Sequence, residues 1–154
     1  MAVTASGLYV ATMLVVFNAT QLAYAYLADI MKIALFTDTI TPNFGTDTAY
    51  GVAPYNANET SGGSWAAGGY TLATKTIAQD ATGYSTWDAA DVSQATCTVT
   101  SAMAGLIYDD TLVGKNAVVL VDFVTAVSTT NGTLTITFTA PASGGVYNIK
   151  CTTV

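Results

Sequence analysis

The sequence predicts a mainly β fold: an antiparallel β-sandwich or barrel-like domain with one N-terminal α-helix and a long Gly/Thr/Asn-rich loop. Three observations predict it. From residue 70 onward, short runs of β-branched and apolar residues recur between Gly- and Asn-containing breaks. Residues 132–139 alternate Leu134, Ile136 and Phe138 with Thr133, Thr135 and Thr137, which is the two-residue period of a strand with one buried face. Good helix formers in helical spacing are confined to the stretch before residue 27. The chain has 154 residues, no internal repeat and no break in composition, so it reads as a single domain over 1–154.

The helix is expected over about 6–26. Leu8, Ala11, Met13, Leu14, Ala19, Leu22 and Ala23 favour it, and the Ser6 hydroxyl is placed to accept an unpaired backbone N–H at its start. No charged side chain precedes Asp29. Thr12, Asn18, Thr20 and Gln21 interrupt the apolar run, and no Lys cluster flanks it, so no membrane span is expected. An uncharged helix of this length has to be covered, inside the domain or by a neighbouring subunit. Residues 30–37 then crowd large apolar and β-branched side chains into eight positions, the mark of a buried strand.

Residues 38–69 lack periodicity and carry Pro42, Pro54, Gly62-Gly63 and Gly68-Gly69. About thirty aperiodic residues within one domain suggest an interaction loop, with Tyr50, Tyr55 and Trp65 as aromatic anchors. With Leu8, Leu14 and Phe17 on the helix, these form the candidate interface. The Gly-rich part at 62–69 has no Gly-Lys-[Ser/Thr] ending and reads as a flexible loop, not a phosphate cradle. The β-rich body spans about 70–152. Its strands are expected at 70–77, 84–88, 93–100, 104–108, 117–124, 132–139 and 146–152, and Asn131-Gly132 supplies a positive-φ turn before the sixth.

Charge narrows the function. There are 4 lysines, no arginine, no histidine and 10 acidic residues, for a net charge of -6. The lysines stand far apart at 32, 75, 115 and 150, which argues against nucleic-acid binding. With no His and only Glu59 besides the aspartates, the chain is poorly equipped for acid–base or nucleophilic catalysis, so no enzyme is expected. Asp88/Asp91, Asp109-Asp110 and Asp122 lack the spacing of a calcium loop, and the first two pairs read as turn residues; no metal or cofactor is expected. Cys97 and Cys151 lie in Thr-rich, strand-like segments with no C-x-x-C pairing. Two readings stay open for them: free thiols, or one long-range disulfide.

Residues 29–43, Asp-Ile-Met-Lys-Ile-Ala-Leu-Phe-Thr-Asp-Thr-Ile-Thr-Pro-Asn, resemble the "D-x-I-K-V-A-L-x-T-x-x-Y-T-P-N" signature of a family of small tailed-bacteriophage virion proteins. Later features follow in the same order. Residues 58–69 match its "N-E-x-S-G-x-x-x-x-A-G-G", 87–92 its "W/F-D-A-D-D-V", and 104–111 its "A-x-I-Y-D-D-T". Val121-Asp-Phe123 and residues 128–138 match "V-D-F…S-T-x-G-T-F-T-I-T-F". The likeness spans nearly the whole chain, though residues 7–28 are less polar than the family's first helix and 141–154 run beyond its pattern.

The resemblance implies a virion structural protein assembled in the host cytoplasm. The expected role is capsid decoration or cement, with copies of the chain and the major capsid protein as partners. The acidic balance suits the outside of a DNA-filled shell. A tail or head–tail connector component, with tail proteins as partners, is the alternative. Two further readings come from other classes: a pilin-like filament subunit, and a glycan-binding sandwich using Trp65, Trp87 and the tyrosines as sugar platforms.

Overall fold

In the computed structural model, the structure describes residues 3, 5–17, 25–79, 84–140, 143 and 145–150. Its elements are β1 (Gly7–Leu8), α1 (Val10–Phe17), β2 (Met31–Phe36), β3 (Tyr70–Thr71), β4 (Thr76–Gln79), β5 (Tyr84–Asp88), β6 (Val92–Asp109), β7 (Ala117–Ile136) and β8 (Tyr147–Lys150). The fold is mainly β and antiparallel with one short N-terminal helix, as the sequence predicts. A five-stranded sheet runs β1-β7-β6-β2-β3 and a three-stranded sheet runs β4-β5-β8, and neither closes on itself.

β2 is the centre of the molecule. Its near-continuous apolar run is explained by cover on both faces. The strand's two-residue period sends Met31, Ile33 and Leu35 into one core cluster with Trp65, Trp87, Val99 and Leu134. Ala34 and Phe36 point the other way, into a second cluster with Tyr9, Ile40, Tyr55, Leu106 and Leu120. The large sheet is thus packed on one side against the small sheet and the far half of the β6–β7 ribbon. On the other side lie the Tyr9 region and part of loop 38–69.

Several expected boundaries move. Strands expected at 93–100 and 104–108 are one strand, β6, and those expected at 117–124 and 132–139 belong to one strand, β7. The breaks between them are bulges. Pairing between β6 and β7 slips between Gln94 and Cys97 and at three further places up to Ala104, and Thr96, Ser101, Val124 and Asn131 hold positive φ. An extra residue on one strand bends the ribbon and strengthens its twist. Asn131 does take the positive φ its sequence suggests, but Gly132 stays in the ladder opposite Cys97, so the pair forms a bulge and not a hairpin turn.

The expected strand 70–77 is split between β3 and β4, which belong to different sheets, with Thr74 at φ 48° between them. The strand expected at 146–152 is β8, and residues 151–152 lie outside the described ones.

The helix is shorter at its start than predicted. Gly7 and Leu8 pair with Leu120 and Val119 of β7, and the Ser6 Oγ accepts from the Asp122 N–H at 2.8 Å instead of capping a helix. An available sheet edge captures these residues before the helix begins. The first helical bond runs from the Met13 N–H to the Tyr9 carbonyl at 3.0 Å. Residues 18–24 lie outside the described ones, and Ala25 and Tyr26, expected to end the helix, belong instead to a turn in which the Ala28 and Asp29 N–H groups donate to the Ala25 carbonyl at 2.7 and 2.8 Å.

Candidate interaction surface

Loop 38–69 contains the aromatic residues expected to face a partner, and it is irregular as predicted. It is also tightly docked. Its Gly-rich end lies against backbone: the Thr98 N–H donates to the Gly62 carbonyl at 3.0 Å and the Ser64 N–H to the Thr96 carbonyl at 3.2 Å. A Cβ on Gly62 would stand 2.3 Å from the Thr98 oxygen, and one on Gly63 2.1 Å from the Thr96 oxygen. The glycines expected to make a flexible loop instead permit close approach of two stretches of the same chain.

This docking turns the aromatic residues inward. Tyr55 and Trp65 are 2% and 1% exposed, so both are core residues and neither is a surface anchor. Trp65 stacks on Tyr70 with ring centroids 5.8 Å apart, and the Tyr55 hydroxyl meets that of Tyr9 in the second core cluster. Burial pushes the Tyr55 phenol up to about 12. Trp87 is equally buried, so neither tryptophan presents a ring face to a sugar.

Tyr50 is half-buried and stacked on Tyr108 at 4.5 Å. Its hydroxyl donates to Glu59 Oε2 at 2.7 Å, while Glu59 Oε1 accepts from the Gly68 N–H at 2.7 Å. The chain's single glutamate is therefore a brace between two parts of the loop. Burial, with the Glu59 hydrogen bond second, pushes the Tyr50 phenol up to about 12.

On the N-terminal segment, Leu8 is half-buried against the first core cluster and Leu14 is 63% exposed. Phe17 ends α1, and its side chain is outside what the structure describes. The five candidate interface residues with described side chains, Leu8, Leu14, Tyr50, Tyr55 and Trp65, thus do not converge on one surface. Sequence reasoning missed other exposed apolar side chains: Val113 on the β6–β7 turn, Val124 and Val127 on β7, Ile77 on β4 and Ile149 on β8. Val127 stands at an apolar cleft of about 230 Å³ lined also by Leu35, Ala102, Phe123, Leu134 and Phe138, among others.

Asp91, Asp109, Asp110 and Asp122 have structural tasks. Asp109 is fully buried, and its Oδ1 accepts from the Thr111 and Leu112 N–H groups at 2.9 and 3.3 Å, fixing the turn into β7. Burial, together with the nearby Asp29 carboxylate, raises its carboxyl above the ordinary range. Asp110 bonds Lys32 at 2.7 Å and Lys115 at 3.2 Å. Burial pushes its carboxyl up, but the two ammonium partners outweigh that and hold it below the ordinary range. Asp91 accepts from the Phe138 N–H and Asp122 from the Val124 N–H. Among the described residues, no three acidic or thiol groups converge as a metal ion would require.

Cys97 is a buried free thiol whose Sγ donates to the Gln94 carbonyl at 3.2 Å. Cys151 lies outside the described residues, and the disulfide reading lies there with it. No described helix is long and apolar enough to cross a membrane. No protein-family model, curated protein or solved structure matches this chain.

Proposed function

We propose that the chain is a structural protein of a tailed-bacteriophage virion, acting as a capsid decoration protein by surface burial against its own copies and the shell. The observation that carries the reading is the surface. Aliphatic side chains at Val10, Leu14, Val113 and Val124 stand exposed on an acidic, mainly β body whose carboxylates and tyrosines serve as internal braces. Single exposed apolar residues are ordinary. Here they sit on a chain with 9% charged residues, where little surrounding charge opposes contact.

The resemblance to the phage family supports the same reading through the scaffold. The matching residues 29–43 include β2, the strand packed on both faces, and residues 58–69 include the close-approach glycines. These positions dictate how such a chain folds, so a likeness there speaks for a shared framework. A net charge of -6 favours the exterior of the shell over contact with packaged DNA.

Particles purified from cells carrying the gene, imaged by cryo-electron microscopy with and without it, test the proposal. The expected result is ordered density for this chain on the capsid exterior, lost on deletion and restored by adding purified protein. Density confined to the tail would replace decoration by the tail reading; absence from the particle would overturn both.

A further inference from the structure

We infer that the outer edge of β7 is a self-association edge, on which a second copy of this chain pairs antiparallel about a two-fold axis at Thr130. This deepens the structural-protein reading and rests on it, since it names the surface through which the subunits join. Four observations carry it.

In the large sheet, β7 has β6 on one side and only β1 on the other, and β1 covers no more than Val119 and Leu120. Beyond the Asp122 N–H held by Ser6, the strand's outer edge has no strand neighbour among the described residues. From Val124 to Thr133 the side chains of both faces are exposed, apart from Thr129 and Gly132, which are half-buried. An interior strand buries at least one face, so this stretch is an unfinished part of the sheet.

Charge decides the occupant. Two chains of net charge -6 repel unless they meet where charge is absent. Residues 123–140 contain no charged residue, and monomeric proteins usually guard such an edge with lysines or proline. A second copy of the same uncharged edge meets no opposing charge there. Ten residues of strand give a contact about 33 Å long, enough for a modest interface.

The third observation is Val124. It is 78% exposed and holds φ at 63°, a left-handed conformation that a β-branched residue adopts only when held there. The Asp122 carboxylate does the holding, accepting the Val124 N–H at 2.8 Å. The bulge thereby pushes an aliphatic side chain outward beside the free edge.

The fourth is the receptor. The apolar cleft of about 230 Å³ is lined by residues from both ends of the same strand, Phe123 and Val127 on one side, Leu134 and Ile136 on the other. A two-fold at Thr130 sets Val124 of each copy beside Ile136 of the other, at that copy's cleft. The contact is self-complementary, as a two-fold interface must be.

The test uses the full chain alone, by sedimentation equilibrium from 1 to 200 µM. The expected result is a monomer–dimer equilibrium in the micromolar range. Val124→Asp should weaken it at least 100-fold with unchanged circular dichroism and melting temperature. Val52→Asp, an exposed valine on loop 38–69 away from β7, should leave it unchanged. In a Cys151→Ser background, Thr130→Cys should form a disulfide-linked dimer on mild oxidation, because residue 130 lies at the axis. A monomer throughout, or a dimer that survives Val124→Asp and fails to cross-link, would overturn the inference. Neither result alters whether the chain is found on the particle, so failure here and failure of the virion reading are separately visible.

Discussion

Replacing Gly69 by alanine tests whether the Gly-rich segment is a close-approach element or a flexible loop. Gly69 holds φ at 75°, and a Cβ there would stand 1.9 Å from the Ile33 carbonyl oxygen of β2. Real Cβ atoms keep at least 3.0 Å, so the backbone must retreat by more than 1 Å. Two effects add. A left-handed conformation costs a residue with a Cβ about 1–2 kcal/mol. The retreat also strains two neighbouring bonds: the Leu72 N–H to the Met31 carbonyl at 2.8 Å beside the β2–β3 pairing, and the Tyr108 hydroxyl of β6 to the Gly68 carbonyl at 2.8 Å. At roughly 0.5–1.5 kcal/mol for each of the two bonds weakened, the expected destabilisation is about 2–5 kcal/mol. Gly51→Ala is the internal control: its φ is 82°, yet a Cβ there meets nothing within 4 Å, so only the conformational cost of about 1–2 kcal/mol remains. Urea unfolding followed by tryptophan fluorescence should show the Gly69 variant's midpoint lowered by roughly 1–2.5 M for a slope of about 2 kcal/mol/M, and the Gly51 variant's by roughly 0.5–1 M. Equal shifts for the two variants would refute the close-approach argument.

Leu14→Asp should change folding stability by no more than about 1 kcal/mol, because the side chain is already 63% exposed; a loss of several kcal/mol in thermal melts would place it in the core. Asp109→Asn preserves an oxygen to accept the Thr111 N–H while removing the buried charge. Asp109 is raised by burial, so its contribution to stability is fully present below the ordinary carboxyl value of 3.8 and is lost as pH rises through the raised value. The variant should therefore match the parent near pH 3 and be the more stable of the two at pH 7, and a variant less stable at neutral pH contradicts this. In an ultraviolet titration at pH 11, Tyr50 and Tyr55 should remain largely protonated, each pushed up to about 12 chiefly by burial. Ionisation of all nine tyrosines in one step near pH 10 would show that neither is buried.

How much of this was legible in the sequence depended on whether a residue's role followed from a local period. β2 was legible because six adjacent positions, Met31–Phe36, need cover on both faces and carry almost nothing polar. β5 matches its expected limits, since Tyr84–Asp88 is bounded by turn-forming residues. The bulges were not legible. Thr96, Ser101 and Val124 are good strand residues whose positive φ is imposed by the ribbon's bend and by partners far away in the chain. Asn131-Gly132 did announce a left-handed residue, but a bulge and a hairpin turn use the same chemistry there, and only the pairing of Gly132 with Cys97 separates them.

The candidate site was misplaced for a related reason. Aromatic residues in an aperiodic loop look like interface anchors, because nothing local provides a face to bury them. β2, however, has two faces, and the small sheet covers only one of them. The other must be closed by chain that is neither helix nor strand, and loop 38–69 contributes Ile40 and Tyr55 to that side. Trp65 instead fills the opposite cluster, brought there by glycines that let the loop backbone lie against β6. Once the loop is committed to the core on both sides, its aromatic residues are no longer free for a partner. Exposed apolar surface then remains where the sheet runs out of cover: on the solvent side of α1, at the β6–β7 turn and along the outer edge of β7. Contacts with other subunits should accordingly map to Leu14, Val113 and Val124, and not to Tyr55 or Trp65.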